Sequence, residues 1–374
     1  MQTVRKYHII AAGDVFLKTK SSSSRPFGSE IESLFQDSHC VVVNLETVLA
    51  DTGKPEEKAV TLRVPPSSAK YLRDAGVDVV NVANNHTMDY GKEGFRATCA
   101  ALDDNEILYV GVLHQGEQKP YIVQIDGYKT GILGYFAGGG TDDFGIAPLR
   151  ERQIQKDIER LQSRNVERII VNLHWGTEYV IYPSPKQQNL ARRIIDYGAH
   201  VIIGHHPHIV QGIETYKNGV IFYSLGNFNF KSSSNLEQRF PCARWGIIAL
   251  ISFSSAAPIQ YECIPIEIDV EYRPCFASQE DAVAFLKYLD WISAPLKPQV
   301  NRLFWLREAS WPHFCNHLPS FVRRIRKYGA RHFIQMLRWL LHPSNYGLYL
   351  GLLLLIATKA SSSSLPKPHC PTKL

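Results

Sequence analysis

The sequence predicts a layered α/β domain followed by a helical C-terminal extension. Over about the first 265 residues, short β-branched runs alternate with amphipathic stretches, the pattern of strands and crossover helices. Several further runs are strand-rich with few helices between them, which fits antiparallel strands of a second sheet. From about residue 272 the pattern becomes helical and basic. We therefore divide the 374 residues into a domain over residues 1–270 and an extension over residues 271–374.

Buried strands and crossover helices are predicted from the spacing of the apolar residues. Uninterrupted apolar runs indicate strands that are covered on both faces. These strands are Tyr7–Ala12, Cys40–Val43, Val77–Val82, Ile169–Leu173, Val201–Ile203 and Val220–Tyr223. Apolar residues at helical spacing indicate crossover helices. These helices are Ser67–Ala75, Gly91–Leu102, Arg152–Arg164 and Pro185–Tyr197. The antiparallel strands expected in a second sheet are Tyr121–Ile125, Thr130–Tyr135, Trp245–Phe253 and Ile259–Ile268.

The extension is predicted to contain two helices and a short apolar segment. Glu280–Ile292 has a helical pattern, and Leu318–Leu341 has the pattern of one basic amphipathic helix. Tyr346–Ala357 is a run of twelve largely apolar residues. As a helix this run is about 18 Å long, against about 30 Å for the hydrocarbon core of a bilayer. It is too short to span a membrane, so we expect either an interfacial segment or a core helix docked on the α/β domain.

The net charge of +6 is concentrated in the extension. From Asn301 to His342 there are eight Lys and Arg residues against one acid, Glu308. This balance predicts an anionic partner, either a lipid surface or a polyanion, with a solvated helix face as the alternative. Aromatic stacking patterns and known nucleic-acid modules do not accompany the basic helix, which argues against nucleic acid.

Cysteine usage and the N-terminal residues predict the compartment. The seven cysteines are odd in number and contain no C-x-x-C pair, which argues against a zinc-thiolate site and a disulfide framework. The first predicted strand starts at Tyr7, and no signal-peptide pattern precedes it. We expect a cytoplasmic protein or a peripheral one at the inner membrane face.

Polar clusters follow the predicted strands at the points where the apolar runs end. Open α/β sheets place their sites at such strand ends. The clusters are Gly13–Asp14, Asn44–Glu46, Asn84–Gly91, His174–Tyr179, Gly204–His208 and Ser224–Phe228. They contain five of the fourteen histidines. Carboxylates, imidazoles and amide oxygens that converge in this way form a ligand set for divalent cations.

Each cluster taken alone has an ordinary structural explanation. Asp14 has the alternative of a helix cap, Asn85 of a left-handed turn residue, and His86 of a satisfied core histidine. Three imidazoles within Gly204–His208 are harder to explain without a metal. Two metals about 3.5–4 Å apart activate a bridging water and stabilise both oxygens of an in-line displacement at phosphorus.

The order of these clusters resembles one protein family. The motifs GD, NLE, NNH..DYG, HWG.EY, GHHPH and SLGNF occur in sequence over roughly residues 7–266. They resemble the CapA family of capsule and poly-gamma-glutamate synthesis proteins, which belongs to the calcineurin-like metallophosphoesterase superfamily. The resemblance implies a four-layer α/β/β/α sandwich, with two sheets inside and helices outside, and membrane association.

The resemblance also implies roles for individual residues. The implied metal ligands are Asp14, Glu46, Asn85, His174, His206 and His208. Among them Glu46 stands where a bridging carboxylate is expected, and His205 is an alternative to its neighbours as the imidazole ligand. His86 is the implied general acid or phosphate-polarising group, held by Asp89.

Two departures from the superfamily pattern affect the metal site. Phe16 stands where the superfamily has a histidine on the first strand, and Asn44–Glu46 replaces its Gly-Asp-x-x-Asp motif. One metal site therefore lacks an imidazole, which favours a single metal or a weak second one. We expect one or two divalent ions, with Mn, Fe or Zn as the candidates.

Two functions follow from these observations. The first is a metal-dependent hydrolase or transferase of polyanionic envelope polymer synthesis, acting on a phosphoester or a polyglutamate-type amide. The alternative is a non-catalytic assembly or anchoring subunit of a polymer synthesis or export complex. The expected partners are the anionic polymer or its precursor, other envelope-biosynthesis proteins, and a membrane surface contacted by the basic helix.

Overall fold

The protein is described by a computed structural model. The structure describes residues 7–20, 25–58, 60–125, 127–138, 144–230, 238–253, 258–329, 333–334 and 349. The apolar segment predicted over 346–357 lies outside the described residues, apart from Tyr349. Most of the predicted basic helix beyond Gly329 also lies outside them.

Strands and helices alternate along most of the described chain. The strands are β1 (Tyr7–Val15), β2 (Ser38–Leu45), β3 (Val48–Leu49), β4 (Arg63–Val64), β5 (Val79–Asn81), β6 (Leu108–Val110), β7 (Val112–His114), β8 (Glu117–Gln118), β9 (Tyr121–Ile125), β10 (Tyr128–Phe136), β11 (Phe144–Ile146), β12 (Arg168–His174), β13 (Val201–His205), β14 (Ile213–Tyr216), β15 (Gly219–Phe222), β16 (Asn227–Asn229), β17 (Trp245–Ser252), β18 (Gln260–Ile268) and β19 (Pro274–Phe276). The α-helices are α1 (Ser29–Gln36), α2 (Ala69–Ala75), α3 (Gly91–Asp104), α4 (Glu151–Gln162), α5 (Pro185–Asp196), α6 (Gln279–Ser293) and α7 (Arg302–Tyr328). Short 3₁₀ turns occupy Pro66–Ser68, Pro241–Arg244 and Ala294–Leu296.

Two large mixed sheets form the centre of the fold. The first has the order β19-β18-β17-β1-β2-β5-β6, with β16 also paired to β1. Its strands β1, β2, β5 and β6 are parallel, and β17 to β19 are antiparallel. The second has the order β14-β15-β13-β12-β10-β9, with a parallel centre and antiparallel edges. The antiparallel strands predicted to share one sheet are therefore divided between both, which corrects that expectation.

Side chains on alternate positions of the central strands enter different cores. Ile9 and Ala11 of β1 face the core between the two sheets, whereas Ile10 and Ala12 face the outer helices. In the second sheet, Ile170 faces the inter-sheet core and its neighbours face α4 and α5. Both faces of these central strands are thus buried, which explains their uninterrupted apolar runs in the sequence. The four layers are α/β/β/α, and the predicted fold class is confirmed.

The outer helices present apolar stripes to the two sheets. Residues such as Phe35 of α1 and Phe95 of α3 pack on the first sheet. Ile154 and Ile158 of α4 pack on the second. The N-terminus of α5 is stabilised by a capping box between Ser184 and Gln187. The four crossover helices occur within one or two residues of their predicted bounds, except that the first begins with a 3₁₀ turn.

The C-terminal helices pack against this sandwich. Phe285 and Ile292 of α6 are buried in the inter-sheet core. Helix α7 begins sixteen residues before the predicted Leu318, at Arg302. Its early start is stabilised by the Asn301 cap and by burial of Leu306 against the domain. Among the described residues, no helix combines the length and the apolar character that crossing a bilayer requires. The boundary at residue 270 stays a prediction.

Candidate metal centre

The carboxyl ends of strands from both sheets meet at one point of the sandwich. Asp14 lies on β1, and Glu46 follows β2, both in the first sheet. His174 and His205 end β12 and β13, which are neighbours in the second sheet. All four side chains are fully buried. The layered fold therefore brings together residues from opposite sheets that are up to 191 positions apart in the sequence.

In the described part of the chain, two groups of three side chains have the geometry to hold a metal ion. One group is Glu46, His206 and His208, and the other is Asp14, Glu46 and His174. In each group the donor atoms lie within 4.8 Å of one another. Glu46 belongs to both groups, in the place expected of a bridging carboxylate.

Glu46 is a buried carboxylate surrounded by imidazoles. Its Oε1 lies 3.6 Å from His208 Nε2, 3.7 Å from His174 Nε2 and 3.9 Å from His86 Nε2. Neither of its oxygens has a hydrogen-bond partner among the described residues. Burial raises the pKa of Glu46 well above its ordinary value, although His208 opposes this shift. Because an unpaired buried carboxylate is costly, these orphaned oxygens and the surrounding nitrogens fit a divalent cation.

Asp14 is held as a carboxylate by its neighbours. Asn44 Nδ2 donates to Asp14 Oδ1 over 2.8 Å, and His208 Nδ1 lies 3.4 Å from Oδ2. Burial by itself would raise the pKa of Asp14, but the imidazoles of His205 and His208, 3.5 Å and 3.4 Å from its oxygens, hold it well below the ordinary value. Burial also opposes the charged form of His208, yet Glu46 and Asp14 raise its pKa to about 10. Without a cation, His208 therefore supplies the positive charge between the two carboxylates.

His174 and Asn85 contact each other directly. His174 Nε2 lies 2.7 Å from Asn85 Oδ1, and His174 Nδ1 lies 3.2 Å from Asn44 Nδ2. Because the Asn44 amide nitrogen is a donor, Nδ1 accepts and Nε2 donates to Asn85. Asn81 Nδ2 in turn donates to Asn44 Oδ1 over 2.9 Å. This chain of amides orients the predicted ligands His174 and Asn85.

The predicted catalytic pair, His86 and Asp89, is formed in the structure. His86 Nδ1 lies 2.7 Å from Asp89 Oδ2, so Nε2 is directed toward Glu46. Asp89 also accepts from the backbone of Leu62 and pairs with Lys58, which donates to the carbonyl of Asn85 over 2.7 Å. Burial lowers the pKa of His86 although Asp89 opposes this shift.

The loop after β13 holds its histidines in an uncommon backbone conformation. His206 has φ +95° and His208 has φ +57°, both in the left-handed region that L-residues rarely adopt. His208 Nδ1 is held 2.9 Å from Asn227 Oδ1, and the His206 ring centroid lies 4.7 Å from that of His174. Burial lowers the pKa of His206 to about 4, which keeps its imidazole neutral, as metal binding requires. His205 belongs to neither group of three.

Local packing explains the identities of two residues near Asp14. A Cβ atom on Gly13 would lie 1.9 Å from the carbonyl oxygen of Gly226, so only glycine fits there. Phe16, which replaces the histidine of the superfamily pattern, is buried, and its ring centroid lies 5.8 Å from that of Phe230. The position of the usual imidazole is therefore part of the apolar core.

Sequence reasoning missed one contact to the centre. Glu178 belongs to a recognised motif, but no role was assigned to it, and Asn316 of α7 carried no signal. Asn316 Nδ2 donates to Glu178 Oε2 over 2.5 Å. Burial opposes ionisation of Glu178, but His206, His208 and His317 lower its pKa to about 2. Helix α7 thus contributes to the rim of the metal centre, a contact across 138 residues of sequence.

Comparison with known proteins identifies the family. The model of the bacterial capsule synthesis protein PGA_cap matches residues 8–232. The chain belongs to the PGA_cap family. All six polar clusters of this PGA_cap protein lie inside the matched residues, and the resemblance to CapA proteins is confirmed.

Curated relatives of this PGA_cap protein include two from Bacillus. It is 36% identical over 185 residues to the capsule biosynthesis protein CapA of Bacillus anthracis, covering 46% of this chain and 45% of that protein. It is 33% identical over 249 residues to the PGA biosynthesis protein CapA of Bacillus subtilis, covering 64% of each. The chain thus spans about half to two thirds of these relatives.

Solved structures similar to this PGA_cap protein include phosphoesterases. A 5'-nucleotidase precursor from Thermus thermophilus has 14% identity and a TM-score of 0.43, covering 71% of this chain and 55% of that one. The calcineurin-like phosphoesterase YfkN from Bacillus subtilis has 14% identity and a TM-score of 0.39, covering 72% and 87%.

Proposed function

We propose that this PGA_cap protein is a metal-dependent hydrolase or transferase in the synthesis of a capsule polymer of the poly-gamma-glutamate type. The observation that carries the chemistry is Glu46. Its two buried oxygens lack hydrogen-bond partners within the described part of the chain, while three histidine nitrogens lie 3.6–3.9 Å from Oε1. Two Bacillus relatives, a capsule biosynthesis protein and a PGA biosynthesis protein, support the polymer class.

One or two divalent cations would be held by the two groups that share Glu46. Asp14 and His174 complete one group, and His206 and His208 complete the other. A bound cation supplies a Lewis acid that lowers the pKa of water and stabilises negative charge on a substrate. Carboxylate and imidazole ligands suit Mn, Fe and Zn.

The residues around this centre position His86 to transfer a proton to or from the substrate. His86 Nδ1 is held by Asp89, so that Nε2 is the atom left to exchange a proton with substrate. Lys58 neutralises Asp89 and holds the Asn85 backbone, which keeps His86 and Asn85 on the same rim. The arrangement suits protonation of a leaving oxygen or nitrogen, as either phosphoester or amide cleavage requires.

Metal content tests this proposal first. The full chain, purified without chelators, is loaded separately with manganese, iron and zinc, and its bound metal is measured by mass spectrometry. We expect stoichiometric metal in the wild type and its loss in His206→Ala. His114→Ala, at an exposed position on β7, is the control and is expected to keep the metal. Absence of stoichiometric metal with all three ions would refute a metal-dependent enzyme.

Activity and complementation separate the enzyme from an assembly subunit. We expect the loaded protein to hydrolyse a p-nitrophenyl phosphate ester or an oligomer of γ-linked glutamate, and His206→Ala to lose that activity. In a capsulated host that lacks its own PGA_cap protein, the wild type is expected to restore the polymer. Full restoration by a His206→Ala, His208→Ala variant would favour the non-catalytic subunit instead.

A further inference from the structure

Helix α7 exposes an apolar face. Of the twelve large apolar side chains that the described residues expose, four lie on α7, and Phe333 and Ile334 follow its end. Leu303 is 67% exposed, Trp311 59%, Leu318 45% and Val322 40%. Scattered single apolar residues are ordinary on a surface, but this concentration on one element marks an interaction site.

The exposed and buried residues of α7 lie on opposite faces. Trp311, Leu318 and Val322 recur at intervals of seven and four residues, which places them along one stripe of a helix. Phe314 stacks against Trp311 beside that stripe, with ring centroids 6.1 Å apart. Leu306, Ala309 and His313 are buried against the domain. The domain therefore covers one face of α7, and the other face is exposed in the part of the chain that the structure describes.

Basic residues flank the uncovered face. Arg307 and Arg326 are exposed. Arg307 lies four residues before Trp311, and Arg326 lies four residues after Val322, so the two arginines continue the stripe at its two ends. The sequence from Asn301 to His342 has eight basic residues and one acid. An apolar stripe bordered by arginines complements a surface that is apolar beneath a negatively charged layer.

We propose that α7 lies in the plane of an anionic lipid surface, with Trp311, Leu318 and Val322 inserted below the headgroups. The helix has 27 residues and a length of about 40 Å, and it remains attached to the domain by its buried face. Each arginine near such a surface adds about 1 kcal/mol of binding, which corresponds to about fivefold in affinity. This docking stands independently of any metal chemistry.

Docking by α7 would also position the metal centre. Asn316, on the inward side of the helix, hydrogen bonds to Glu178 at the rim of the centre. A helix that contacts lipid on one side and the centre on the other keeps the centre close to the membrane surface. Under the proposed function, this places the chemistry next to a membrane surface.

Vesicle sedimentation of the full chain tests the docking. Sucrose-loaded vesicles of phosphatidylglycerol and phosphatidylcholine in equal parts are compared with vesicles of phosphatidylcholine alone. We expect binding to the anionic vesicles and at least fivefold weaker binding to the neutral ones. The double variant Leu318→Ser, Val322→Ser is expected to bind about tenfold more weakly, because burial of both side chains is lost.

A matched control uses the same residue types on another helix. Val283 and Leu286 of α6 are 49% and 37% exposed, close to the values for Val322 and Leu318. The double variant Val283→Ser, Leu286→Ser is expected to bind like the wild type. Equal losses in both double variants would overturn the proposal, since general hydrophobicity would then explain binding.

Two further measurements separate lipid from other occupants of the face. Brominated lipid is expected to quench tryptophan fluorescence in the wild type and measurably less in Trp311→Phe, which keeps an aromatic ring. Sedimentation velocity without lipid reports self-association. Absence of vesicle binding, together with a dimer that Leu318→Ser, Val322→Ser abolishes, would assign the face to a second copy and overturn the lipid assignment.

Discussion

Asn316 donates a hydrogen bond of 2.5 Å to Glu178, and this bond joins the C-terminal helix α7 to the rim of the metal centre. The pKa of Glu178 is lowered to about 2, and His208, whose pKa is raised to about 10, supplies positive charge near it, so the bond is charge-assisted. The helix that the sequence presents only as a basic extension is therefore structurally coupled to the centre.

Removal of this bond should destabilise the protein. Asn316→Ala leaves Glu178 Oε2 without its donor, and we expect the free energy of unfolding to fall by about 1–2 kcal/mol. Urea denaturation measures the change. The control is Gln299→Ala, which removes an exposed hydrogen bond of 2.7 Å from the Gln299 side-chain amide to Asn189 Oδ1. It should cost less than about 0.5 kcal/mol. Equal effects of the two substitutions would show that the hydrogen bond from Asn316 to Glu178 contributes no more to stability than an exposed one.

Neutralisation of Glu46 should have opposite effects with and without metal. In chelator, Glu46→Gln removes a buried carboxylate that no described residue hydrogen bonds, and the free energy of unfolding should rise by about 1–3 kcal/mol. With manganese or zinc present, the variant should lose the stabilisation that ligand binding gives the wild type. Denaturation midpoints under both conditions measure these changes.

Glu214 provides a matched control for Glu46. It is also buried, but it accepts hydrogen bonds of 2.7 Å from both Arg192 and Tyr223. Glu214→Gln should therefore destabilise the protein by a similar amount with or without metal. If Glu46→Gln behaved in the same way as Glu214→Gln, the unpaired state of the Glu46 oxygens would have no energetic consequence.

Replacement of His86 should separate catalysis from metal binding. Its Nε2 lies 3.9 Å from Glu46 Oε1, and His86 belongs to neither group of three. We expect His86→Asn to lower kcat by about 10²–10⁴, with metal content unchanged and KM altered much less. Steady-state kinetics on the substrate found active, together with metal analysis, checks this. Loss of metal in His86→Asn would place the residue among the ligands instead.

His200 should make stability depend on pH below neutrality. Its Nδ1 accepts from the Ile169 backbone over 3.2 Å, and burial together with Arg168 lowers its pKa to about 4 from 6.5. The unfolded chain therefore binds a proton at higher pH than the folded chain does. This residue's contribution to stability is complete above about pH 6.5 and is lost as pH falls toward 4, by at most about 3 kcal/mol.

The variant His200→Gln keeps an acceptor for the Ile169 backbone but cannot titrate in this range. The difference in unfolding free energy between pH 7 and about pH 4.5 should therefore be smaller in His200→Gln than in the wild type. Denaturation curves at several pH values measure it. Parallel pH profiles for the two proteins would show that His200 does not contribute.

The central strands and crossover helices were predictable because their signal is local. Ile9 to Ala12 are apolar without interruption, since alternate side chains enter different cores, and that run needs no knowledge of the partners. The distribution of the antiparallel strands was not predictable in this way. Trp245–Ser252 pairs with β1 and Tyr121–Ile125 with β10, and both segments have similar local patterns.

The site residues were recognisable, but their relationships were not. Asp14, Glu46 and His174 follow apolar runs in recognisable motifs, so the chain alone marks them as a polar set at strand ends. That Glu46 belongs to two groups depends on the packing of one sheet against the other. Asn316 carried no signal, because an asparagine within a helical pattern looks like any solvated residue.

The sequence by itself determined the layered α/β class, the motifs that mark the centre and the basic character of the C-terminal region, because these properties are carried by neighbouring residues. Only the tertiary structure decided that Glu46 lies among histidines of the opposite sheet, and that α7 contacts Glu178 on one side and exposes Trp311 on the other. Such relationships depend on strand order and helix docking, which arise from contacts between residues far apart in the chain.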